Sequence, residues 1–289
     1  MSDPLRIAAP AKLNLFLQVT GRRPDNYHLL ESLVAFTDFG DTLEIRPADD
    51  ISLTVEGPFS APLQDSGQNL VMQAAELLRA EAGVKDGAQI VLSKHIPIAA
   101  GLGGGSADAA AALRGLRALW NIAIDNEDLH RLALTLGSDV PACLLSQPLW
   151  LQGTGDEVTP VPMHAEAWAV LVNPGLPLAT ADVFGRFSGV FAAASDAPEA
   201  IDSLDDLAML IQLRQNALTP AAAALMPAIN DVLAAIRNSS GCLLARMSGS
   251  GATCFGLYAS EASARMAAET IHGKHPGWWC VSTGFHEAQ

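Results

Sequence analysis

Pro97-Ile98-Ala99-Ala100-Gly101-Leu102-Gly103-Gly104-Gly105-Ser106-Ala107-Asp108-Ala109-Ala110 places four glycines within five residues, just ahead of an alanine run. Glycine there allows backbone turns that a Cβ would block and lets successive N–H groups converge on one anion. Ala109 to Ala112 are strong helix formers, and Leu113, Leu116, Leu119 and Trp120 recur at helical spacing. The loop therefore opens onto a helix N-terminus, where the backbone carries partial positive charge. A polyphosphate fits such a place.

Three familiar glycine loops are excluded by residue identity. The Walker loop ends in Gly-Lys-Ser/Thr, whereas this one ends Gly105-Ser106-Ala107. A dinucleotide fingerprint starting at Gly101 needs glycine where Ser106 stands and an acidic residue about 20 residues on, where Trp120-Asn121-Ile122-Ala123 offers none. Ser248-Gly249-Ser250-Gly251 lacks the first glycine of a serine-hydrolase elbow. A plain turn before a core helix is the remaining alternative, and four glycines cost too much chain entropy for that.

The chain has 289 residues, room for two compact domains, expected here as 1–148 and 149–289, with the boundary near Pro148. Hydrophobic residues make up 49% and charged ones 17%, which excludes a disordered chain. A formal net charge of −14 repels DNA, RNA and anionic membranes, so neither a nucleic acid nor a membrane is an expected partner. Local backbone amides, a few cations and bound Mg²⁺ can still hold a small nucleotide against that field. Cys143, Cys242, Cys254 and Cys280 are far apart in sequence and indicate neither a zinc site nor a disulfide framework. Lys12 and Asn14 interrupt the only apolar run near the N-terminus, and no segment reaches membrane-spanning length, so a cytoplasmic location is expected.

Arg6–Thr20 alternates as a strand, with Leu13, Leu15, Leu17 and Val19 on one face and Lys12, Asn14, Phe16 and Gln18 on the other. Strands are expected over 33–39, 42–46, 51–55 and 89–92, and a helix over 70–82. The helix after the glycine loop is followed by one over 126–136 that stops at Gly137, with Ser138-Asp139-Val140-Pro141 as the turn beyond it. The second half reads as strands backed by helices over 204–215, 221–225, 228–238 and 261–272. The alanine-rich segment 192–199 reads as a mobile surface loop.

Several residues carry chemistry. Lys12 is one of four lysines and sits in an apolar strand. It either reaches water from a strand edge or turns its ammonium toward an anion. Asp139, between a helix-ending glycine and Val140-Pro141, is a well-aimed carboxylate or an ordinary turn aspartate. Ser106 and Asp108 are expected in the first turn of the loop helix, where an oxygen caps N–H groups or contacts Mg²⁺. Tyr27-His28 offers an aromatic face and a hydrogen-bonding edge suited to a nucleobase; for Tyr27, as for Phe184, ordinary core packing is the alternative.

The stretch from Pro97 to Ala110 resembles the phosphate-binding signature of the GHMP small-molecule kinases. Pro10-Ala11-Lys12-Leu13-Asn14-Leu15 followed by Asp25-Asn26-Tyr27-His28 is similar to the branch of that family acting on a cytidine diphosphate-linked alcohol. Met247-Ser248-Gly249-Ser250-Gly251-Ala252 resembles the family's second glycine loop. The resemblance covers nearly the whole chain. It implies an α+β fold of two domains, an N-terminal one like ribosomal protein S5 and a ferredoxin-like C-terminal one, with a cleft between them.

The resemblance further implies an ATP- and Mg²⁺-dependent enzyme, a monomer or weak homodimer, that phosphorylates a 2-hydroxyl in the non-mevalonate isoprenoid precursor pathway. Lys12 then polarises the acceptor hydroxyl and Asp139 is the general base. Pro97, Ala100, Gly101, Leu102, Gly103, Gly104, Gly105, Ser106 and Ala107 hold the phosphates, Ser106 also contacts the metal, and Asn69 and Lys94 meet the adenine or ribose. Asn14, Tyr27, His28, Asp139, Thr180, Phe184, Ser248 and Gly249 bind the substrate, with Tyr27 and Phe184 sandwiching cytosine and His28 bonding its edge. The chain departs from the family at Ala99 and Asn26, where glycine is usual; alanine is a small change, and asparagine tolerates left-handed geometry. Other GHMP substrates, homoserine or a mevalonate, give no reason for Tyr27-His28. A non-catalytic sensor gives none for Lys12 and Asp139.

Overall fold

The computed structural model describes residues 3–63 and 69–286. In chain order the elements are β1 (Leu5–Asn14), β2 (Gln18–Arg22), β3 (His28–Ala48), β4 (Ser52–Glu56), α1 (Leu70–Ala82), β5 (Gly87–Ser93), α2 (Gly104–Leu119), α3 (Asn126–Leu136), α4 (Val140–Leu145), β6 (Leu149–Gln152), β7 (Glu157–Pro160), β8 (Trp168–Asn173), α5 (Thr180–Gly185), α6 (Leu204–Gln212), α7 (Thr219–Leu225), α8 (Ala228–Arg237), β9 (Leu244–Met247), β10 (Cys254–Tyr258), α9 (Glu261–Lys274) and β11 (Trp279–Gly284). The fold is α+β, with the helices and strands forming two compact units.

The first unit comprises the chain up to Ala11, Gly40–Ile98 and Gly103–Ser146. Here the second half of β3 pairs antiparallel with β5, Ile45 opposite Ile90, and β5 pairs in parallel with β4. Leu43, Ile45, Ile90 and Leu92 are buried, as are Val71 and Leu78 of α1 and Leu113 and Leu116 of α2. α2 approaches the strands closely at Gly115, where a Cβ would lie 2.5 Å from Ile45 Cδ1 and 2.9 Å from Ile7 Cγ1. A helix-interior glycine costs about 1 kcal/mol relative to alanine. The close approach is what it allows.

The second unit comprises Lys12–Phe39, Ala99–Leu102 and the chain from Gln147 onward. The first half of β3 pairs with β2 and with β6, and β6 with β7. A separate antiparallel sheet has the order β11-β8-β10-β9, and α8 and α9 pack on it through Ile229, Val232, Ile236, Ala264, Ala267 and Ile271. Tyr258 is wholly buried in this core, and its hydroxyl meets Ser239 Oγ at 2.6 Å.

Four details differ from the sequence reading. The expected strands over 33–39 and 42–46 are one 21-residue strand, β3, running through Gly40-Asp41. A Cβ at Gly40 would collide with the Ala9 backbone, so the glycine marks close packing rather than a break. The turn expected at 138–141 starts α4, with Pro141 in its first turn, where the missing N–H is not needed. The expected strand over 6–20 is interrupted after Asn14, and both of its faces are buried there, Lys12 at 5% exposure and Asn14 at 3%. Finally, segment 192–199 is tied down: Ala192 N donates to Val19 O at 2.9 Å, and Ser195 N and Oγ donate to the buried Glu31 carboxylate at 2.6 and 2.9 Å.

Candidate active site

In the first unit, α2 begins inside the glycine run. Gly103 is its N-cap at φ +62°, and Ala107 N is the first helical amide to find a partner, Gly103 O at 2.8 Å. The N–H groups of Gly104, Gly105 and Ser106 lack intrahelical acceptors and make up the helix's positive end. Among the described residues the Ser106 hydroxyl has no hydrogen-bond partner. A helix N-terminus with three such amides is a place where an anion can be held.

Asp108 is not in that first turn. It lies one turn further in, 3% exposed, with Oδ2 accepting from Lys94 Nζ at 2.6 Å and Oδ1 unpartnered. Lys94, also 3% exposed, reaches Asp41 Oδ2 at 2.5 Å, while Asp41 Oδ1 accepts from His95 N at 2.5 Å and Ile96 N at 2.8 Å. Burial pushes the Asp108 carboxyl up to about 8; Lys94 pulls against that shift and the Asp41 charge reinforces it. Burial works against the Lys94 ammonium, but Asp108 and Asp41 outweigh it and raise its pKa. The stretch entering the glycine loop and the helix leaving it are thus held by one cluster of hydrogen bonds on the Lys94 ammonium. Asp41, which carries half of it, was not singled out from the sequence.

Asn69 caps α1, its Oδ1 accepting from Val71 N at 2.9 Å. Asp139 precedes α4, yet its carboxylate makes no capping hydrogen bond to that helix.

In the second unit the two glycine loops interlock. Ser248 Oγ donates to Gly101 O at 3.0 Å and accepts from Asn14 N at 3.1 Å. Thr253 N donates to Ala100 O at 3.1 Å, and Lys12 N to Leu102 O at 2.9 Å. Gly101 has φ +74°, and a Cβ there would lie 2.6 Å from Ser248 O and 2.7 Å from Gly251 O. Asn216, missed in the sequence, fixes the second loop by donating from Nδ2 to Met247 O and Gly249 O, both at 2.8 Å. Asn14 Nδ2 donates to Ser32 Oγ at 2.8 Å, and Thr180 Oγ1 meets Ser250 Oγ at 2.9 Å. Lys12, Asn14, Ala100–Leu102, Ser248, Gly249 and Thr180 are therefore linked in one unit.

An aromatic group lies elsewhere in the same unit. His28 stacks on Phe184 with ring centroids 5.4 Å apart and planes at 28°, and Phe187 meets His28 edge-on at 5.6 Å. Burial, and secondarily Arg22, lower the His28 pKa and so favour its neutral imidazole. Tyr27 is 68% exposed beside it. The two departures from glycine both take left-handed backbone: Ala99 at φ +51° and Asn26 at φ +72°.

Comparison with known proteins agrees with the α+β fold of the two units. The family described as GHMP kinases N terminal domain matches residues 69–147, and GHMP kinases C terminal matches residues 192–275. The chain is 51% identical over 273 residues to the 4-diphosphocytidyl-2-C-methyl-D-erythritol kinase of Paramagnetospirillum magneticum, covering 94% of this chain and 95% of that protein. It is 50% identical over 282 residues to the protein of the same name from Parvibaculum lavamentivorans, covering 96% and 97%. A crystal structure of 4-(cytidine 5'-diphospho)-2C-methyl-D-erythritol kinase superposes with a TM-score of 0.80 at 35% identity, over 98% of this chain and 100% of that one. A homoserine kinase from Cytophaga hutchinsonii shares the fold, with a TM-score of 0.74 at 18% identity over 100% and 96%. Among the described residues no helix is long and apolar enough to cross a membrane. The chain belongs to the GHMP kinases, and within them to the 4-diphosphocytidyl-2-C-methyl-D-erythritol kinases.

Proposed function

We propose that this protein transfers the γ-phosphoryl group of ATP to the 2-hydroxyl of 4-diphosphocytidyl-2-C-methyl-D-erythritol. Identity of about half the residues to kinases of that name over nearly the full chain supports the reaction. The observation that favours this substrate over homoserine or a mevalonate is His28 stacked on Phe184, a flat, neutral hydrogen-bonding edge beside the exposed ring of Tyr27. Those three side chains suit a pyrimidine.

In this reading the free amides of Gly104, Gly105 and Ser106 receive the phosphates, with Pro97, Ala100–Gly103 and Ala107 shaping the loop and Asn69 and Lys94 on the nucleoside side. The Lys94 contact then comes from its stem or backbone, because its ammonium is engaged by the carboxyl groups of Asp41 and Asp108. Lys12 lowers the pKa of the acceptor hydroxyl by proximity of positive charge, and Asp139 takes its proton as the oxygen attacks phosphorus and ADP leaves. Asn14, Thr180, Ser248 and Gly249 orient the alcohol.

Magnesium fits the residues present. Mg²⁺ takes one or two protein oxygens and otherwise phosphate and water, and the unpartnered Ser106 hydroxyl is a hard oxygen at the cradle. Asp108, two positions on and tied to Lys94, faces another way. When bound, the ion neutralises charge on the β- and γ-phosphates. The acidic balance of the chain supports small molecules, and neither nucleic acid nor membrane, as partners. A cytoplasmic monomer or weak homodimer accords with that.

The test is ADP release with ATP, Mg²⁺ and a panel of the cytidine alcohol, homoserine and mevalonate. Turnover is expected with the first alone. Preference for either of the others would overturn the substrate.

A further inference from the structure

The base site proposed above rests on His28, and His28 has a second aromatic neighbour outside the expected substrate set. Phe187 lies in the turn just after α5, its N–H donating to Phe184 O at 3.1 Å. That turn brings two rings of one short segment onto the imidazole, Phe184 against its face at 28° and Phe187 edge-on at 85°. Such stacked and edge-to-face pairs have preferred geometries and resist rotation of the ring they enclose.

The rest of the segment is anchored to the strands that carry His28. Phe187 stacks on Phe191 at 6.3 Å, and the next residue, Ala192, donates from N to Val19 O of β2. Three residues later Ser195 is held by Glu31, which is on β3 with His28 and opposite Gln18 of β2. Gln152 Nε2 and Arg214 Nη2 also reach Ser195, at 3.1 Å to its O and 3.2 Å to its Oγ. The segment from Phe187 to Ser195 is thus a strap tied at its far end to the pair of strands that presents His28.

Phe187 is half-buried and packs against the core of the second unit, but one side of it is open. Beside it lies a cavity of about 250 Å³ bordered by Ala217, Pro220, Ala221 and Ala224, so its neighbours on that side are small and leave space. Its ring also meets two other rings, His28 edge-on and Phe191 stacked, so that beyond filling space it encloses the imidazole.

We propose that Phe187 is a positioning residue for nucleobase recognition: its ring edge fixes the His28 imidazole in the plane from which it bonds the cytosine edge. The inference rests on the cytidine reading of the site and adds to it the residue that sets His28. Phe187 touches the base only through His28.

The experiment compares Phe187→Leu, which keeps bulk and loses the ring, with Phe187→Tyr, which keeps the ring. Steady-state kinetics are read for both substrates, with CDP as a competitive probe. Phe187→Leu is expected to raise KM for the cytidine alcohol and Ki for CDP by about three- to tenfold, with KM for ATP and kcat within about twofold of wild type. Phe187→Tyr is expected to restore both values. Equal rises in the two KM values, no rise in either, or a tyrosine variant no better than leucine would overturn the proposal. If CDP fails to compete with the alcohol in the wild-type enzyme, the base-site reading itself falls, and this inference with it.

Discussion

Replacing Gly101 by alanine tests the interlock of the two glycine loops at its tightest point. The residue has φ +74°, where alanine costs about 1–2 kcal/mol more than glycine. The added Cβ would lie 2.6 Å from Ser248 O, 2.7 Å from Gly251 O and 3.0 Å from Gly251 N, all of them backbone atoms that cannot rotate aside. Relieving those contacts means parting the loops, at a cost of about 1–3 kcal/mol by analogy with overpacked cores. The Ser248–Gly101 and Lys12–Leu102 hydrogen bonds stretch at the same time. The total is about 2–5 kcal/mol. Gly105 provides the contrast within the same motif: its Cβ would meet only Leu70 Cδ1, at 3.6 Å, and alanine there favours the helix by up to about 1 kcal/mol. Urea unfolding midpoints should therefore fall for Gly101→Ala and hold or rise for Gly105→Ala. Calorimetry with a non-hydrolysable ATP analogue should show weaker binding by the Gly101 variant. An unchanged midpoint together with an unchanged Kd for Gly101→Ala would refute the interlock as a structural element.

Asp139→Asn should retain fold and nucleotide binding but lose about 10²–10⁴-fold in kcat, because an amide of nearly equal volume cannot accept the proton; turnover within a few-fold of wild type would remove Asp139 from the chemistry. Tyr27→Ala should raise KM for the cytidine alcohol roughly ten- to a hundredfold, from about 1–3 kcal/mol of lost base stacking, with KM for ATP nearly unchanged; equal weakening of both would indicate a damaged fold. Asp108 gives a pH signature: its carboxyl is raised from 3.8 to about 8, so between those values the folded chain holds a proton that the unfolded chain has released. Its contribution to stability is full below the unfolded value and is lost as pH rises toward 8, so wild type should lose urea resistance relative to Asp108→Asn across that window; parallel pH profiles would contradict the assignment.

Local signals made part of this legible. α1 and α3 begin after Asn69 and Asp125, whose side chains cap them, and end at Gly83 and Gly137, so their bounds follow from caps and periodicity. The glycine loop was legible because its residue types have few other uses. What escaped depends on residues far apart in sequence. Gly40 reads as a strand break until Ala9 is known to lie against it, and Asp41 as an ordinary polar residue until Lys94 and Asp108 close on it. The alanine-rich segment around Ser195 reads as solvated because its anchor, Glu31, is 164 residues away. Lys12 could not be placed by alternation, since the strand carrying it is covered on both faces.

The most direct test of the central claim is to identify the product. The protein, ATP, Mg²⁺ and 4-diphosphocytidyl-2-C-methyl-D-erythritol are incubated, and phosphorus NMR of the purified product is read for a new monoester resonance coupled to the carbon skeleton at the 2-position. One such phosphate per molecule, formed in step with ADP and absent with Asp139→Asn, is the expected result. ATP hydrolysis without that resonance, or a phosphate on another hydroxyl, would contradict it.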